Sequence, residues 1–171
     1  GTNYRVVLIA YGAFANCTSL TYLTLNSEVD VIVDDAFSSC TSLQSVTLQG
    51  TVSSIGERAF ENCSSLKSLV IGDDDISHGT VLNSYAFKGC SSLQSTTLNR
   101  SVILTDSNGI PYEDIFEECT GDIMINCPIS NVDDGYLQND GSPNFGYGTT
   151  NVFNNSKFNT ITIGQDVTKI G

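Results

Sequence analysis

Cysteine has the widest chemical repertoire of the residue types in this 171-residue chain, because thiols form disulfides, bind zinc and act as nucleophiles. Six are present, and five of them lie three residues after a phenylalanine of a recurring motif: Cys17, Cys40, Cys63, Cys90 and Cys119. That position predicts a ladder of small, buried side chains with free thiols on the core-facing side of short helical turns. Pairing along this cysteine ladder, or of Cys119 with Cys127, stays open, because stacked repeats lie about 5 Å apart. A zinc site is not predicted.

An acidic run, Asp73, Asp74 and Asp75, could supply oxygen ligands to Ca²⁺. Consecutive residues do not all point at one ion, and the spaced Asp-x-Asp-x-Asp-Gly pattern of a calcium loop is absent. We therefore interpret the run as a solvated insertion and predict no metal and no cofactor. The single histidine, His78, lies in the same polar insertion without the oriented partner that nucleophilic catalysis needs. The sequence predicts no catalytic residue and no enzyme activity.

The charge balance limits the classes of partner. With 7 Lys+Arg against 19 Asp+Glu, the formal net charge is −12. A surface this acidic repels nucleic-acid phosphates and anionic membranes, so neither is an expected partner. No apolar run is long enough to cross a bilayer. The length suits one domain, residues 1–171, with a sizeable core.

An internal repeat is the strongest signal in the chain. The motif Ala-Phe-x-x-Cys-x-Ser-Leu occupies residues 13–20, 36–43, 59–66 and 86–93, with looser copies at Phe116 and Phe153. The phenylalanines at positions 14, 37, 60, 87, 116 and 153 are 23, 23, 27, 29 and 37 residues apart, and a period of 23 is typical of leucine-rich repeats. Apolar residues two apart follow each motif, as at Leu23 and Leu25, and predict one short parallel strand per repeat. We therefore predict an α/β repeat solenoid whose strands form a curved sheet, with short helical turns on the other side.

A second apolar pair lies before each motif. Val52 and Ile55 precede Gly56, and the same spacing recurs at residues 6–9 and 167–170. The first and last residues therefore stand at equivalent phases of the repeat. We expect about six irregular repeats that form part of a longer array.

The full pattern, Ala-Phe-x-x-Cys-x-Ser-Leu, then an apolar strand, then Val-x-x-Ile-Gly, resembles the BspA-like leucine-rich repeats of bacterial surface proteins. The resemblance implies a right-handed curved solenoid, an extracellular or cell-surface location, and adhesion to host proteins or other cells. Any export signal would lie outside these residues. The copy at Phe116 departs from the pattern, because Thr120 and Gly121 replace Ser-Leu. The curvature is therefore expected to be irregular there.

The leading functional hypothesis is a non-enzymatic protein–protein interaction or adhesion module. Outward strand positions carry small polar side chains, with few of the large anchors of protein interfaces. We therefore place the candidate partner contacts in three insertions, 72–80, 99–112 and 128–150. Their candidate contact residues are Asp73, Asp74, Asp75, Tyr136, Phe145 and Tyr147. The alternative is a structural stalk that spaces another domain and has no ligand of its own.

Overall fold

The alternation of apolar and polar residues after each motif produces a strand with one buried and one outward face. In the computed structural model these strands pair in parallel, each with its equivalent one repeat away. The structure describes residues 6–26, 29–50, 52–72, 79–99, 102–103, 112–126, 129–130, 153 and 155–164. Each complete turn of the chain is called a coil below.

Two six-stranded parallel sheets run along the solenoid, and every coil contributes one strand to each. The long-strand sheet contains β2 (Tyr22–Leu25), β4 (Ser45–Leu48), β6 (Ser68–Ile71), β8 (Ser95–Leu98), β10 (Thr120–Ile125) and β12 (Lys157–Ile163). The short-strand sheet contains β1 (Leu8–Ile9), β3 (Val31–Ile32), β5 (Ser54–Ile55), β7 (Thr80–Leu82), β9 (Val102–Ile103) and β11 (Ile129–Ser130). The predicted parallel strand per repeat is therefore confirmed.

The core contains the inward side chains of both sheets together with the alanine, phenylalanine, cysteine and leucine of each motif. In the third coil Ala59, Phe60, Cys63 and Leu66 are all fully buried. The motif phenylalanines stack from coil to coil, with ring centroids 5.1–5.8 Å apart from Phe14 to Phe153. No single coil can bury its own apolar face, so the stacking of neighbours creates the core.

The predicted helical turns are wrong: among the described residues the motif segments are hydrogen-bonded turns and no helix is present. The Phe37 N–H donates to the Ala59 carbonyl of the next coil over 2.8 Å, whereas the Ser38 N–H donates to Asp35 within its own coil over 3.0 Å. Because alternate N–H groups point at the neighbouring coil, the i→i−4 bonding of an α-helix cannot propagate. Asp35 and Ser39 have positive φ angles of 57° and 59°, which also interrupts helical geometry.

The short-strand sheet is a second departure from the predicted architecture. The segment before each motif forms these strands, as at β5, where Ile55 is buried. Val52, which is also buried, lies two residues before that strand. Two insertions predicted from the sequence also contain strands, because β9 lies within 99–112 and β11 within 128–150. In the part of the chain that the structure describes, no helix could span a membrane.

Candidate interaction surface

The outer face of the long-strand sheet is a regular surface that extends over six paired strands. Strand pairing aligns its outward side chains in two columns that run along the solenoid. One column contains Tyr22, Ser45, Ser68, Ser95, Asp122 and Thr160. The other contains Thr24, Thr47, Val70, Thr97, Met124 and Thr162. Neighbouring side chains within a column are about 4.8 Å apart, and the two columns are about 7 Å apart.

The chemistry of this strand face is neutral and polar. Asp122 carries the one charge among the twelve positions, although the whole chain has a net charge of −12. Its two largest side chains are Tyr22, which is 67% exposed on the end strand β2, and Met124, which is 44% exposed on the fifth strand, β10. The central part offers hydroxyl groups that can donate and accept hydrogen bonds. The alternating burial along β2, β4 and β6 confirms the outward orientation predicted for Tyr22, Thr24, Ser45, Thr47, Ser68 and Val70.

Charged side chains concentrate instead on the turns, where they pair with one another. Arg58 and Lys88 lie over the Tyr85 ring, with 5.2 and 5.1 Å between the cationic group and the ring centroid. The Tyr85 hydroxyl donates to Glu113 over 2.9 Å, and this hydrogen bond raises the pKa of Tyr85. Lys88 forms an ion pair with Glu117, which raises the pKa of the lysine. These contacts connect three adjacent coils and stabilise the turns.

The cysteine ladder has a structural role that the sequence did not reveal. Four thiols donate to the carbonyl oxygen of the phenylalanine one coil earlier, over 3.1–3.4 Å: Cys40, Cys63, Cys90 and Cys119. Burial raises the pKa of the Cys63 thiol to about 12 and also raises the pKa of Cys40. A thiol that stays protonated at neutral pH is a poor nucleophile and a poor metal ligand.

The described cysteines are free thiols. Because the thiols of Cys40, Cys63, Cys90 and Cys119 are hydrogen-bonded and buried, we assign them to the core and not to a reactive site. Within the described ranges, no group of three or more His, Cys, Asp or Glu side chains could hold a metal ion. Cys127, the possible disulfide partner outside the ladder, lies outside the described residues.

The six contact residues proposed from the sequence lie outside the described residues: Asp73, Asp74, Asp75, Tyr136, Phe145 and Tyr147. His78 lies outside them as well. The flanking strands nevertheless define where the insertions leave the solenoid. Residues 73–78 connect the long-strand sheet to the short-strand sheet, after β6 and before β7, whereas residues 131–152 connect β11 to the turn at Phe153. The first insertion therefore follows a strand of the long-strand sheet, and the second follows a strand of the short-strand sheet.

One apolar feature was not predicted. A cavity of about 320 Å³ opens at the β1–β2 end of the described solenoid. Its lining residues are Val6, Ile9, Phe14, Leu20, Leu23, Leu25, Val29 and Phe37. Phe14 is 44% exposed there, whereas Phe37 in the next coil is 1% exposed. The motif phenylalanine is buried in the next four copies but not in the first, since no described coil covers the outer face of the Phe14 ring.

Comparison with known proteins identifies the repeat. A family model described as a BspA-type leucine-rich-repeat region matches residues 7–139 in six copies. No curated protein and no solved structure matches the chain. The structure continues the array past the matched range, because Phe153 stacks on Phe116 with 5.8 Å between ring centroids and β12 pairs with β10.

Proposed function

Because the chain belongs to the BspA-type leucine-rich-repeat family, we propose that it is an adhesion module, displayed on or secreted from a bacterial cell, that binds a protein partner. The family indicates a protein-interaction or structural module in general terms. The observation that supports binding in particular is a scaffold of paired strands whose outer face is not covered by another strand of the described residues. Its side chains are held in register by strand pairing before a partner arrives, which lowers the entropy cost of binding.

We assign the specific contacts to the insertions at 72–80 and 128–150, which contain the six candidate contact residues. Protein interfaces depend on a few large aromatic or arginine anchors, and the centre of the strand face has none. Tyr136, Phe145 and Tyr147 supply aromatic side chains in the longer insertion, and the aspartates at 73–75 suit a cationic patch on the partner. The strand face then contributes hydrogen bonds around those contacts.

We test this with biolayer interferometry of the purified chain against a panel of extracellular matrix and cell-surface proteins. A binder found in the panel is measured again with Tyr136→Ala/Tyr147→Ala, with Thr47→Arg on the strand face, and with Ser64→Ala on an exposed turn as the matched control. The proposal expects at least a tenfold weaker Kd for the tyrosine variant and no change for the control. Unchanged affinity in the tyrosine variant would contradict the assignment to the insertions.

Surface display has its own test. Intact cells of the source bacterium are treated with a protease that cannot enter them, and the chain is followed by immunoblot beside a cytoplasmic marker protein. Loss of the chain while the marker survives is the expected result. Survival of both, with no chain in the medium, would contradict display and secretion.

A structural stalk is the second candidate, and the small size of the central strand-face residues favours it. Ser45, Ser68 and Thr47 present little area to a partner. A stalk predicts no binding across the panel and no effect of Thr47→Arg on adhesion of whole cells. Shortening the array by one coil would instead reduce adhesion through a neighbouring domain, so the two roles are separable. We propose no catalytic role, since Cys40, Cys63, Cys90 and Cys119 are buried core residues and the single histidine has no partner identified from the sequence.

A further inference from the structure

We draw no further inference here: the strongest candidate, the apolar cavity at the β1–β2 end of the described solenoid with Phe14 at its mouth, carries nothing because nothing in the structure shows what covers it.

Discussion

The thiol of Cys63 donates a hydrogen bond to the backbone carbonyl oxygen of Phe37, one coil earlier, over 3.3 Å. The same carbonyl also accepts the Cys40 N–H of its own coil, over 3.3 Å. Each phenylalanine carbonyl in this series thus links two coils through its two lone pairs. Cysteine suits the position because it is small and apolar enough for the core and still donates a hydrogen bond.

The first prediction concerns thiol accessibility. Cys17 is half-buried, and the other four ladder thiols are buried. We expect a thiol reagent at pH 8 to label Cys17 in the folded protein, while Cys40, Cys63, Cys90 and Cys119 react only on unfolding. Mass spectrometry of labelled peptides measures the order. The Cys17→Ser variant should lack this labelling, and Cys127→Ser removes the thiol outside the described residues. Labelling of Cys63 as fast as Cys17 would show that the thiols of the cysteine ladder are accessible to the reagent in the folded protein.

The second prediction is a loss of stability at alkaline pH. Burial raises the pKa of Cys63 from 9.0 to about 12, so the folded state holds this proton more tightly than the unfolded state. The contribution of the protonated Cys63 thiol to the free energy of unfolding is fully present below pH 9. It is lost as the pH rises towards 12, by up to about 1.4 kcal/mol per pH unit for one thiol. Chemical denaturation of the wild type and of Cys63→Ser at several pH values measures it. The difference in free energy of unfolding between the wild type and Cys63→Ser should shrink as the pH rises. A constant difference would contradict the raised pKa of Cys63.

The third prediction uses the phenylalanine stack. Phe60 is fully buried between Phe37 and Phe87, so Phe60→Ala should cost about 3–5 kcal/mol. Phe14→Ala provides the matched control, because that ring is 44% exposed and stacks on one neighbour only in the described structure. We expect it to cost less than half as much. Urea denaturation gives both values. Equal losses would show that Phe14 is covered in solution.

The fourth prediction contrasts two buried threonines. Thr96 of β8 is buried and pairs with Leu69 and Ile123 of the adjacent strands. Its hydroxyl group has no hydrogen-bond partner. Thr96→Val should therefore stabilise the protein by about 1 kcal/mol. The Thr80 hydroxyl donates to the Val52 carbonyl over 2.7 Å, so Thr80→Val should destabilise it by a similar amount. Thermal unfolding measures the melting temperatures of both variants against the wild type. A lower melting temperature for Thr96→Val would mean that its hydroxyl has a partner.

The fifth prediction separates backbone strain from steric clash. Gly121 and Gly12 both have positive φ angles, 85° and 58°. A Cβ atom at Gly121 would lie 2.4 Å from the Leu93 carbonyl oxygen, whereas at Gly12 the nearest atom is 4.0 Å away. Both alanine variants incur the left-handed backbone cost of about 1–2 kcal/mol. The clash should add about 1–3 kcal/mol for Gly121→Ala alone. Equal free energies of unfolding would show that β8 and β10 move apart easily.

The sequence was sufficient for the parts of the fold that repeat. The spacing of Phe37 and Phe60, and the alternation of Val46 and Leu48, determine the period, the parallel strands and the buried positions, because burial of one face recurs in every coil. The family could be predicted for the same reason. The candidate contacts at Tyr136 and Tyr147 stay predictions, since an insertion has no periodicity from which its shape can be read.

Only the tertiary structure decided how the motif turns are built and what the cysteines do. Alone, the segment from Ala36 to Leu43 has the spacing of a helical turn. Periodicity cannot distinguish such a helical turn from the non-helical hydrogen-bonded turn that the structure contains. In the stacked solenoid its alternate N–H groups find carbonyl oxygens in the next coil, which favours a turn with positive φ at Asp35 and Ser39 over a helix. The thiol of Cys63 meets the Phe37 carbonyl for the same reason. These hydrogen bonds join residues 22 or more positions apart, so they exist only after the coils have stacked.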